Sequence, residues 1–166
     1  MAVAEAERRA KVVGRGDVAE YLSLRASNDL ARRAGVEWLM TTFTMFVGEA
    51  NRVGAGVSIK HADTHRFRAG NSTMVGTLIT FHRGVRSLSI EAGWPRTPRD
   101  GIVRGGGLAC ANVRHFGRRS ADEELLLVRA DNADAPQWVV IEREGARSSL
   151  TEERIRRHVK LLVQEV

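Results

Sequence analysis

Apolar residues recur at helical spacing in the first third of the chain and at alternate positions after Gly56. Leu30, Ala34, Val36, Leu39, Met40, Phe43, Phe46, Val47 and Ala50 return every three or four residues, which predicts a helix over about 29–51 with a step at Gly35. Upstream, residues 2–13 read as a short charged helix broken by Gly14 and Gly16. Asp17 and Glu20 then have the spacing of a capping box that opens a helix to about Arg25, and Ser27, Asn28 and Asp29 offer the next cap. Thr41, Thr42 and Thr44 leave a strand as the alternative there, because β-branched side chains favour a pleated surface.

From residue 57 the period changes to two. Val57, Ile59, His61, Asp63, His65 and Phe67 would share one face of an extended segment over 57–68. After the turn AGNS, a second strand is predicted over 74–82 and a third over 85–94, where Leu88, Ile90, Ala92 and Trp94 alternate with Ser87, Ser89, Glu91 and Gly93. Pro95 and Pro98 break the sheet. Further strands are expected within 102–116, over 124–130 and over 137–143. At the end, Thr151 is suited to cap a helix, with Leu150 and Ile155 as a hydrophobic staple. Glu152–Arg156 and Glu153–Arg157 are spaced as ion pairs, and Ile155, Val159 and Leu162 form the buried stripe. Connections this short force neighbouring strands to run antiparallel. The expected fold class is α+β: an antiparallel meander sheet of about six strands with N-terminal helices and a C-terminal helix packed on it. One domain over 1–166 is expected, with 1–16 loosely attached.

Composition narrows the class. At 166 residues, 43% hydrophobic and 28% charged, the chain can build one core and is not of the disordered type. A single cysteine, Cys110, excludes an internal disulfide and has no partner for a zinc cluster. The N-terminus lacks the apolar stretch of a secretory signal, and no run reaches the roughly 20 apolar residues of a membrane span. A cytoplasmic location and no membrane partner are expected. The net charge is +6, and all but Lys11, Lys60 and Lys160 of the 26 basic residues are arginine. A GC-rich genome accounts for part of that skew; the rest raises the question of anion recognition, since guanidinium presents a planar fork to phosphates and carboxylates.

Candidate chemistry gathers where Phe, His and Arg recur together, in HRFR at 65–68, FHRGVR at 81–86 and RHFGRR at 114–119. In a meander, the ends of the second and fourth strands meet at one edge, so Arg83, Arg86, Arg114, Arg118 and Arg119 are expected to converge there with His82 and His115. Arg66 and Arg68 would lie further off, and Phe67, Phe81 and Phe116 would stack bases. The bland alternative is that hairpin tips are simply polar. HADTH offers His61, Asp63 and His65 as metal ligands, although same-face residues on a strand lie about 7 Å apart and reach one ion only if the strand bends. RGGG at 104–107 lacks the GxxxxGK[ST] form of a nucleotide loop and reads as a bulge or loose strand entry, and the PxxP at 95–98 as a rigid turn. Cys110 between two alanines reads as an inert thiol.

The favoured reading is a non-enzymatic binding module whose basic sheet edge contacts nucleic acid or an acidic protein surface, with no cofactor. The alternatives are a small-molecule or metal-dependent enzyme with its pocket near His61, Asp63 and His65, and a structural subunit or homo-oligomer joined through an edge strand.

Overall fold

The computed structural model describes residues 2–12, 16–129 and 135–165. Seven strands follow one another across a single antiparallel sheet in chain order: β1 (Ser58–Ala69), β2 (Ser72–Arg83), β3 (Arg86–Trp94), β4 (Ala109–His115), β5 (Glu123–Arg129), β6 (Pro136–Ile141) and β7 (Arg147–Ser149). They are flanked by α1 (Ala2–Val12), α2 (Gly16–Arg52) and α3 (Glu152–Val163). The α+β meander matches the expected class. The seventh strand is the addition: three residues are too few to show an alternation.

The two helices expected over 17–51 are one. α2 runs 37 residues, about 55 Å, through Ser27, Asn28 and Asp29. Asp29 does not cap a new helix; its carboxylate pairs with Arg32 one turn on at 2.9 Å, and Arg32 also donates to the Leu108 carbonyl at 2.8 Å. The threonines stay helical because Thr42 and Thr44 donate their hydroxyls to the carbonyls of Trp38 and Met40. Gly35 is the point of closest approach: a Cβ there would stand 2.6 Å from Leu127 Cδ2, and the Gly35 carbonyl accepts from Trp138 Nε1 at 2.8 Å. From that contact onward Leu39, Phe43, Phe46 and Val47 bury against Ile79, Phe81, Leu88 and Ile90. α3 completes the layer with Ile155, Val159 and Leu162 on the same core. Thr151 caps it, accepting from the Arg154 amide at 3.2 Å. The expected ion pairs within α3 give way to tertiary ones, since Arg156 reaches Glu49 of α2 at 2.8 Å and lies over the Phe46 ring.

Both helices lie on one side of the sheet. The other side carries only a small apolar cluster, Phe67, Met74, Val103 and Leu126, partly roofed by the 95–108 connection. β1 forms one edge. A register shift between Ala62 and His65, with Thr64 at φ +56°, puts a bulge in its middle. Left-handed backbone is unusual for a β-branched residue, and this bulge, with Lys60, Arg66 and Arg68 beside it, blunts the edge against pairing with another chain.

α3 is tied to the sheet by a chain of ionisable side chains. His115 Nε2 lies 2.8 Å from His158 Nδ1, and His158 Nε2 lies 2.8 Å from a Glu123 carboxylate oxygen. The other Glu123 oxygen accepts from Arg154 at 2.7 Å, and Arg154 reaches Glu142 at 2.8 Å. Burial, reinforced by His158, pushes His115 down to about 4. Burial would raise Glu123, but hydrogen bonds from His158 and Arg154 outweigh it and hold the carboxyl at about 2. Both folded values lie below the unfolded ones of 6.5 and 4.5, so the unfolded chain takes up these protons first as pH falls. Stability is therefore expected to be full above pH 6.5, to drop by on the order of 2–3 kcal/mol as pH falls to about 4, and to drop again below 4.5. Urea unfolding across that range checks it: His115→Phe should flatten the upper window and leave the lower one.

Candidate functional site: the open face of the sheet

Strand register decides which side chains share a face, because directly paired residues point the same way. Before the bulge, His61 pairs with Ile79 and so lies on the helix side; after it, His65 and Phe67 pair with Gly76 and Met74 and lie on the open side. The extra residue that the strand would need in order to bend three ligands onto one ion instead separates them. His65 Nε2 donates to Glu91 at 2.8 Å and its ring stacks on Phe67, while His61 and Asp63 border a different cavity. No three His, Cys, Asp or Glu side chains come together in metal-holding geometry among the described residues.

The predicted basic edge is only partly there. The β2–β3 and β4–β5 turns do meet, with the Phe116 amide donating to the Ser87 carbonyl and Arg86, His115, Phe116 and Arg118 lining one small cavity of about 200 Å³. But Arg83 donates to the Ala55 carbonyl at 3.0 Å and to the Val163 carbonyl at 2.6 Å, and Arg86 donates to the Gln164 carbonyl. These two guanidiniums satisfy backbone acceptors at the C-terminal end of α3, where the helix carries partial negative charge. His115 is buried on His158. Phe81 is fully buried and Phe67 nearly so, which leaves Phe116, at 75% exposure, as the one of the three able to stack on a base. His82 is half-buried near the end of β2, and Arg118 and Arg119 stand exposed at the β4–β5 tip. Arg66, exposed on β1, pairs with Val75 on the helix side.

Arginines concentrate instead on the open face. A cavity of about 370 Å³ there is lined by Arg104, Arg114 and Arg147, and by Arg68 from the end of β1, where its register with Thr73 is that of the helix side; the floor includes Met74, Val103, Cys110 and Leu126, with Glu124 as the one acid in the wall. All four arginines are exposed. Arg68 donates to the Thr73 hydroxyl and the Asn71 carbonyl, and Arg147 to the Gly105 carbonyl at 3.0 Å. The Arg104 guanidinium lies over Gly70, where a Cβ would meet its Nε at 3.0 Å and where φ is +59°. None of Arg68, Arg104 and Arg147 forms an ion pair with an acid among the described residues, and Arg114 comes no nearer than 3.8 Å to Glu91. Glu91 is already committed: one oxygen meets His65 and the other accepts from Asn112 at 3.0 Å. The Cys110 thiol is pushed up to about 12 by burial, with Glu91 and Glu124 adding to it, so at neutral pH it is protonated and supplies no nucleophile.

Arg104 and Arg147 were not among the residues the sequence pointed to. The RGGG segment was the available signal for Arg104, whose loop turns through Gly105 and Gly106 at φ +73°. Arg147 sits on a strand with no pattern of its own. Because Arg83 serves the fold, Arg83→Met is expected to lower stability by about 1–3 kcal/mol in chemical denaturation, through carbonyls left without their charged donor. Compared with protein-family models, curated proteins and solved structures, the chain matches none of them.

Proposed function

We propose that the protein is a non-enzymatic binding module for a polyanionic partner, a nucleic-acid backbone or an acidic protein surface, and that the partner lies on the open face of the sheet. The observation that carries this reading is the cavity with four exposed guanidiniums facing one carboxylate. Like charges gathered around one cavity with little counter-charge oppose one another, and a bound anion relieves that opposition. Guanidinium forks suit phosphate and carboxylate oxygens alike. Nothing aromatic is exposed on this face in the way Phe116 is at the tip, so the reading rests on charge and hydrogen bonding rather than base stacking. The protonated Cys110 thiol and the absence of a three-ligand cluster among the described residues give the enzyme alternative no specific support. For a span across the bilayer, no described helix is long and apolar enough.

The test is fluorescence anisotropy with a labelled single-stranded oligonucleotide and a labelled polyglutamate peptide over a series of salt concentrations. With four contacted phosphates, log K against log salt should have a slope of about −3, and Arg114→Gln or Arg147→Gln should each weaken binding and flatten that slope by about 0.7. Arg83→Met should leave it unchanged. Binding that ignores salt, or that survives the double variant Arg104→Gln, Arg147→Gln intact, contradicts the proposal.

A further inference from the structure

A second cavity, of about 620 Å³, lies on the helix side of the sheet, in the corner where β1 runs out from under α2. Its floor is apolar: Val36 and Met40 from one face of α2, and Trp94 at the end of β3, all buried in the main core. Two arginines stand at one end. Arg96 is held in place from two directions, its guanidinium 3.7 Å above the Trp94 ring and donating to the Val75 carbonyl at 3.2 Å. Arg33, exposed on α2, forms no ion pair among the described residues. The same Arg33, Trp94 and Arg96 also border a larger groove under the 95–107 connection, so this end is open on both sides. Burial first, then the charge of Arg33, lowers Arg96 from its ordinary value, and Asp29 offsets part of that. Two carboxylates also line the cavity: Glu37, one helical turn from Arg33 and so its neighbour on α2, and Asp63 on β1, both exposed and without an ion-pair partner among the described residues.

We propose that this corner is a binding site for a small organic monoanion with a flat apolar body, its carboxylate, sulfonate or phosphodiester oxygens on Arg33 and Arg96 and its body against Trp94, Val36 and Met40. The volume falls within the roughly 300–1,000 Å³ typical of small-molecule pockets, and an apolar floor with a few polar groups at its rim is the usual composition of such sites. A flat body suits the Trp94 surface, because one side of the ring already bears a guanidinium and an aromatic anion extends that stack. Glu37 and Asp63, as acids in the wall, select against a second negative charge on the ligand. The bulge in β1 contributes to the shape: by turning the strand over at Thr64 it leaves His61 and Asp63 on this side and carries His65 away to the other. This site is separate from the open face, and its occupation does not depend on the polyanion reading.

Isothermal titration of the full chain with 2-naphthoate tests it. One saturable site per chain is expected, with affinity lowered about tenfold or more in Arg33→Gln, whose exposed side chain makes loss of fold no explanation. Naphthalene-2,6-dicarboxylate should bind more weakly than 2-naphthoate, and Glu37→Gln should narrow that difference. Arg147→Gln should bind like the parent. The proposal is overturned by the absence of saturable binding, by an Arg33→Gln variant that binds as the parent does, by a dianion that binds more tightly than the monoanion, or by loss of binding in Arg147→Gln.

Discussion

The close contact between α2 and the sheet at Gly35 governs the rest of the molecule. With no side chain at that position, the helix backbone comes down onto Leu127, and its carbonyl meets the indole of Trp138. That single seat aligns the apolar stripe of α2 with the alternate residues of β2, β3 and β4, so one face of the sheet is buried as a continuous core. Burying a leucine or phenylalanine is worth about 1.5–3 kcal/mol, and the stripe holds several. Because α2 and α3 together cover this side, one set of alternate residues on each central strand is used up in packing. The other set faces away from the helices, where polar and cationic side chains collect.

The two faces also divide the labour among the charged residues. Half-buried charges are paired: Glu123 with His158 and Arg154, and Glu91 with His65 and Asn112. Such groups are stabilising only while every partner is present, since an unpaired buried charge is costly. They hold α3 and the central strands in register. Arg83 and Arg86 belong with them, because their donors meet carbonyls around the end of α3. The arginines around the open cavity are exposed and hold only surface contacts: Arg68 and Arg147 meet loop carbonyls, and Arg114 stands 3.8 Å from Glu91.

Much of the fold was legible in the residues themselves. The alternation from Leu88 to Trp94, the cap at Thr151 and the helical stripe from Val36 to Val47 are local signals, and each appears in the structure where its pattern placed it. The site was less legible because it depends on non-local facts. One extra residue in β1 leaves no mark on composition, yet it reverses the faces of His61 and His65. That Arg83 and Arg86 serve the end of α3 is set by where a helix 80 residues downstream happens to stop, as the separation of 80 between Arg83 and Val163 indicates. Ser27, Asn28 and Asp29 looked like a helix break because short polar side chains compete for the backbone; the ion pair of Asp29 with Arg32 removes that competition. Arg104 and Arg147 come together only through a loop crossing the sheet and a three-residue strand.

An anion has two basic surfaces to choose between, the open face and the hairpin tips. Arginine side-chain Nε–H resonances followed by NMR during titration with a single-stranded oligonucleotide answer this directly. Shifts in Arg68, Arg104, Arg114 and Arg147 that reach saturation together, with Arg83 and Arg86 unmoved, are the predicted result. Shifts confined to Arg118 and Arg119, with the open-face arginines silent, would contradict it.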